Sequence, residues 1–82
     1  MIYKIMLIKI NQRVQDACDV QNILTKYGCN IKVRLGLHEV SNELCAQDGI
    51  IILQVDGNSD ENYELLKDLN SIEFVKAQLL EI

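Results

Sequence analysis

Gly49-Ile50-Ile51-Ile52-Leu53-Gln54-Val55-Asp56-Gly57 is the stretch from which the rest of the chain can be read. Residues rich in Ile and Val between two glycines spell a short buried strand. Asn58-Ser59-Asp60-Glu61 follows with the composition of a helix start. Ser59 supplies a capping oxygen, and Asp60 and Glu61 set negative charge against the positive end of the helix dipole. The predicted helix runs from about Asp60 to Leu69, with Tyr63, Leu66 and Leu69 as its apolar face and Leu65 beside them. A last strand is predicted over Ile72 to Leu80, with Val75, Ala77 and Leu79 on one side.

Upstream, Ile31, Val33, Leu35 and Leu37 alternate with Lys32, Arg34 and Gly36. This is a half-exposed strand at a sheet edge, where the two cations discourage further pairing. Between it and Gly49, the stretch Leu37 to Asp48 is polar and without period, and reads as a long hairpin loop. Before the edge strand, Val14, Ala17, Val20, Leu24 and Tyr27 recur at helical spacing, from an N-cap at Asn11 to a left-handed stop at Gly28. Ile2 to Ile10 is apolar on both sides, as befits a central strand. The order strand, helix, strand, strand, helix, strand predicts an α+β ferredoxin-like βαββαβ sandwich: a four-stranded antiparallel sheet with both helices on one face. Residues 1–82 make one domain, because a chain this short has no room for a second core.

The pattern also predicts which face is covered. Odd-numbered residues (Tyr3, Ile5, Leu7; Ile31, Val33, Leu35; Ile51, Leu53, Val55; Val75, Ala77, Leu79) are assigned to the helix-facing core. The even-numbered face then stays bare, yet it carries Met6, Ile8, Ile50, Ile52, Phe74 and Leu80, flanked by Lys32, Arg34, Lys76 and Gln78. An apolar patch rimmed by polar groups marks an interface, although scattered surface apolars are ordinary. Met6, Ile8, Ile50, Ile52 and Phe74 are therefore the expected oligomer contacts. A chain of this size buries only about 60–65% of its unfolded surface, so a homo-oligomer, dimer or tetramer, would also relieve a small core.

Composition narrows the partners. Hydrophobic residues are 49% of the chain, too many for disorder. The formal net charge of −4 argues against direct nucleic-acid binding. No apolar run approaches the roughly 20 residues that cross a membrane. Met1-Ile2-Tyr3-Lys4 lacks the features of a signal peptide, which places the expectation in the cytoplasm. The three cysteines, Cys18, Cys29 and Cys45, show no C-x-x-C spacing and read as reduced thiols.

Arg34-Leu35-Gly36-Leu37, Leu24-Thr25-Lys26-Tyr27-Gly28 and the strand 49–57 resemble the iron-only hydrogenase system regulators. These are short stand-alone ACT-like domains, similar in fold to the C-terminal domain of the nickel-responsive regulator NikR. The resemblance spans nearly the whole chain on fold-marking motifs. It implies an ACT-like fold and a regulatory role, with no catalytic residues. Two features depart from the pattern. The loop 37–48 is longer and more acidic, and Ile10-Asn11-Gln12-Arg13 stands where ACT domains commonly carry the Gly-containing loop that holds amino acids.

Chemistry is sparsely written. A Cys–His nucleophile would need His38 beside a thiol such as Cys45, together with an orienting group that the chain does not supply. Cys18, Cys29, His38 and Cys45 have ligand chemistry, but their gaps fit no zinc ribbon or finger. A calcium loop starting at Asp56 needs Gly and Glu at its sixth and twelfth positions, where Glu61 and Lys67 stand. No catalytic residue, metal or cofactor is expected. The candidate place for a small-molecule effector is the corner of Asn11, Gln12, Gly36 and His38, with Arg34 on the open face either pairing with a carboxylate or phosphate or protecting the edge; the competing reading is a solvated loop with no ligand. The expected function is a non-enzymatic regulatory or small-molecule-sensing domain that self-associates through its sheet and regulates through another protein. The alternative is an assembly module that docks a different protein and has no ligand.

Overall fold

The computed structural model describes residues 2–11, 13–38, 49–57 and 60–82, with the backbone alone for 13–17, 37 and 38. In chain order the elements are β1 (Lys4–Ile10), α1 (Arg13–Lys26), a short 3-10 turn (Gly28–Asn30), β2 (Ile31–His38), β3 (Gly49–Val55), α2 (Glu61–Asn70) and β4 (Val75–Glu81). The strands form one antiparallel sheet in the order β2-β3-β1-β4, and the helices cover one side of it. This is the ferredoxin-like βαββαβ arrangement that the element order predicts.

The core is a single cluster. Met6, Ile8 and Ile10 of β1, Ile51, Leu53 and Val55 of β3, and Val75 and Ala77 of β4 meet Val20, Leu24, Tyr27, Leu65 and Leu69 from the helices. On β3 and β4 the odd-numbered residues face the helices as expected. On β1 the expectation is reversed. Met6 and Ile8 are fully buried beneath the helices rather than on the open face. Their cross-strand partners decide this: Met6 lies opposite Leu53 and Leu79, and Ile8 opposite Ile51 and Ala77. Directly opposed residues share a face. Because β1 is apolar on both sides, its own period of two carries no direction, and only the register with β3 fixes it.

The edge strand is reversed for a different reason. Ile31 pairs with Val55 but Val33 pairs with Gln54, so Lys32 is an extra residue in a β-bulge. Beyond it the alternation shifts by one. Val33 and Leu35 come to the open face, 54% and 52% exposed, and Arg34 pairs with Leu53 on the helix side. An unbroken alternation read from sequence places all three on the wrong side.

The helices hold smaller differences. α1 ends at Lys26, and the Asn30 N–H donates to the Tyr27 carbonyl at 2.9 Å as the chain enters the 3-10 turn. Gly28 is not the left-handed stop expected of it, for no glycine among the described residues has positive φ. On α2 the buried residues are Asn62, Leu65 and Leu69, whereas Tyr63 is 58% exposed. The Asn62 Nδ2 donates to the Asp56 carbonyl at 2.6 Å, which ties the first turn of the helix to the exit of β3. Asn30 joins the same junction, accepting from the Asp56 N–H at 2.8 Å and donating to Glu61 Oε2 at 2.8 Å. β4 starts at Val75 rather than Ile72, and Phe74 before it takes a left-handed φ of 66°.

Candidate functional site

The side of the sheet away from the described helices carries a run of apolar residues. Its middle is built from two cross-strand rows. One runs Leu35, Ile52, Leu7 and Gln78 across the four strands, and the next runs Val33, Gln54, Ile5 and Leu80. Ile50, Lys9 and Lys76 continue it at one end. At the other end Tyr3 and Ile82 exchange two backbone hydrogen bonds of 2.9 Å, which extends the β1–β4 ladder beyond Lys4. Ile50 is 45% exposed and Leu80 43% exposed. Of the expected contacts, Ile50 and Ile52 lie on this face. Phe74 is exposed in the turn before β4, and Met6 and Ile8 are in the core. Ile5, Leu7, Val33 and Leu35 also belong to the face, although unbroken alternation assigns them to the core.

The expected effector corner is only partly assembled. Ile10 and His38 both pair with Gly49, so Asn11 and the backbone of His38 reach the same end of the sheet with β3 between them. Two strand spacings put them roughly 10 Å apart. Gly36, opposite Ile51, lies two positions further in. Arg34 is four positions from His38, roughly 13 Å along the strand. It also lies on the other side of the sheet from the expected one. Gln12 and the His38 side chain lie outside the described residues, as does Cys45.

A second polar cluster joins the helix ends. The Tyr27 hydroxyl donates to Asp68 Oδ2 at 2.7 Å, and Lys26 Nζ stands 3.6 Å from the same oxygen and 5.2 Å from the centre of the Tyr27 ring. The hydrogen bond to Asp68, then burial, then the charges of Asp68, Glu64 and Glu61 push the Tyr27 pKa up to about 12. This holds α1 to α2 and fits a structural tie. Cys18 and Cys29 are exposed free thiols, and among the described residues no three His, Cys, Asp or Glu side chains converge as metal ligands. No helix among them is long and apolar enough to cross a membrane.

Neither a protein-family model nor a curated protein sequence matches the chain. Solved structures match its fold. An uncharacterized protein of Thermotoga maritima is 21% identical, with a TM-score of 0.82 over 98% of this chain and 95% of that one. The apo form of CPII, a nitrogen regulatory PII-like protein of Thiomonas intermedia K12, is 15% identical, with a TM-score of 0.70 over 100% of this chain and 90% of its own. CPII is also known bound to ADP, AMP and bicarbonate. The regulatory subunit of aspartate kinase from Thermus flavus is 23% identical, with a TM-score of 0.53 over 95% of this chain and 50% of that subunit. At these identities the likeness is one of fold.

Proposed function

We propose that the chain is a non-enzymatic regulatory domain that self-associates through the open face of its sheet. The observation that carries this is the apolar content of that face: Leu35, Ile52 and Leu7 stand side by side across three strands with none of the described helices over them. Water against such a surface is costly, and a second copy offers an identical surface to cover it. Four strands about 4.8 Å apart and about 20 Å long give a flat footprint of roughly 300–400 Å². Side chains stand off that plane, so two stacked faces bury on the order of 1,000 Å², the lower bound for a specific interface. Association in the micromolar range is the expectation.

The regulatory part draws its support from the resemblance and the fold. Two of the matching structures are named as a nitrogen regulatory PII-like protein and a regulatory subunit. The finer reading is a regulator of an iron-only hydrogenase system acting through a partner protein, and it rests on the motifs around Arg34-Leu35-Gly36-Leu37. A small effector that binds one packing of the subunits better than another would shift the oligomer. Light scattering across about 1 to 500 µM, a range that brackets micromolar affinity, tests the self-association. A dimer or tetramer at high concentration is expected, with Ile52→Lys monomeric because its ammonium would be buried unpaired. A wild-type monomer at every concentration would overturn the reading in favour of a module that docks a different protein. So would an Ile52→Lys variant that keeps its mass.

A further inference from the structure

The end of the sheet where β1 and β2 begin, and β3 and β4 finish, holds a cleft of about 670 Å³. That volume lies within the roughly 300–1,000 Å³ typical of small-molecule sites. The bulge of β2 lies at this end of the sheet. The extra residue, Lys32, is released from strict alternation and lines the cleft beside Gln54, the partner of Val33. Bulges re-aim side chains in this way. At the floor the turn after β3 closes tightly on the start of the chain, since a Cβ on Gly57 would stand 3.3 Å from the Ile2 carbonyl oxygen.

The charges lining the cleft are not equivalent. Lys4 Nζ is 3.5 Å from Glu81 Oε1, and its side chain is only 14% exposed, with the Tyr63 ring centre 5.6 Å away. Asp56 is engaged by an interaction of its own. Lys32 has no ion-pair partner among the described residues. Among the described lining residues, one cation and one carboxamide are therefore left to face a ligand, next to the exposed faces of Tyr3 and Ile2.

We infer that this cleft binds a small organic monoanion, its carboxylate or phosphodiester group held by Lys32 and Gln54 and its apolar body lying on Tyr3 and Ile2. The ligand carries a single negative charge, because Asp56 and Glu81 line the same space and repel a second one. This goes beyond the self-association, which is centred on Leu35, Ile52 and Leu7; the cleft shares only Gln54 with the rows in the middle of the open face. The cleft also sits about 20 Å from the Asn11 and His38 end, since a strand of seven residues separates them.

The test is a titration of the ¹⁵N-labelled full chain with benzoate, followed by amide shifts, with inorganic phosphate and benzyl alcohol as comparison probes. Benzoate should give saturable shifts at Tyr3, Lys32 and Gln54 at about millimolar concentration, as suits a probe of roughly nine heavy atoms. Lys32→Ala should weaken binding tenfold or more, and Lys26→Ala, on α1, should leave it unchanged. Inorganic phosphate binding as tightly as benzoate would remove the apolar body from the proposal, and benzyl alcohol doing so would remove the anion. Absence of saturable shifts at these amides, or equal affinity in Lys32→Ala, would overturn it outright. The subunit mass by light scattering is read on the same samples, so failure here is separable from failure of self-association.

Discussion

Replacing Ile8 by alanine and, separately, its neighbour Leu7 by alanine separates the two faces of β1 quantitatively. Ile8 is fully buried, enclosed between Ile51 and Ala77 across the sheet and the helices above. Truncating such a side chain costs about 2–5 kcal/mol through lost transfer energy and the cavity left behind. A domain of this length has roughly 4–12 kcal/mol in all, so Ile8→Ala removes a large share. At about 4–8 °C per kcal/mol for a domain of this size, Tm falls by roughly 10 °C or more. Leu7 is half-buried on the open face, with Ile52 and Gln78 beside it and none of the described helices over it. Its truncation costs the protomer about 1 kcal/mol or less. It also removes apolar area from the centre of the proposed interface, which weakens association about tenfold. Thermal unfolding by far-UV circular dichroism at about 1 µM, where the protomer dominates, gives the first quantity, and light scattering gives the second. A Leu7→Ala variant that loses as much Tm as Ile8→Ala at low concentration would refute the assignment of faces.

Two further substitutions isolate local terms. Phe74 holds a φ of 66°, where glycine is at ease and other residues are strained. Phe74→Gly should therefore be more stable than Phe74→Ala by about 1 kcal/mol in thermal or urea unfolding. Both remove the same exposed ring, so an alanine variant equal to or more stable than the glycine one would mean the backbone there is unstrained. The Tyr27 tie should show in alkali. The folded chain keeps this proton to about pH 12 against an ordinary value of 10.0. The stability it contributes is therefore complete below about pH 10 and is lost as pH rises towards about 12. Tyr27→Phe should lower Tm at about pH 7 and flatten the Tm–pH profile between about 10 and 12, and an unchanged profile would show that the Asp68 bond contributes nothing.

The legible parts of the sequence were those with one polar side. β3 and β4 could be assigned to faces because Gln54 and Lys76 mark their outer sides. β1 has no such mark in its middle, since Ile5, Met6, Leu7 and Ile8 are all apolar, and its direction exists only in its pairing with Leu53 and Ile51. The bulge at Lys32 left no trace a single sequence could show, because it is a property of two strands aligned, and it sent Val33, Arg34 and Leu35 to the opposite sides. Asn62 was hidden by chemistry. The positions 62, 65 and 69 and the positions 63, 66 and 69 both fit a helix. The apolar Tyr63 outranked an asparagine that is buried with its Nδ2 on the Asp56 carbonyl. The cleft is illegible too, because its lining comes from the ends of separate strands that meet only in the folded sheet.

Reversing β1 exchanges the residues of the proposed interface without removing the interface. With Met6 and Ile8 outward, the open face would hold two apolar residues from its central strand; with them inward, it holds Ile5 and Leu7 instead. The bulge acts in the same direction, taking Lys32 out of the ladder and bringing Val33 and Leu35 to a face where unbroken alternation would put cations. The corrected face thus has an apolar residue from every strand, with Lys9 and Lys76 confined to one end. Two helices of 14 and 10 residues cover one side of a four-stranded sheet and no more. Among the described residues no further element covers the second side, and a surface supplied by another protomer, as proposed, would bury it.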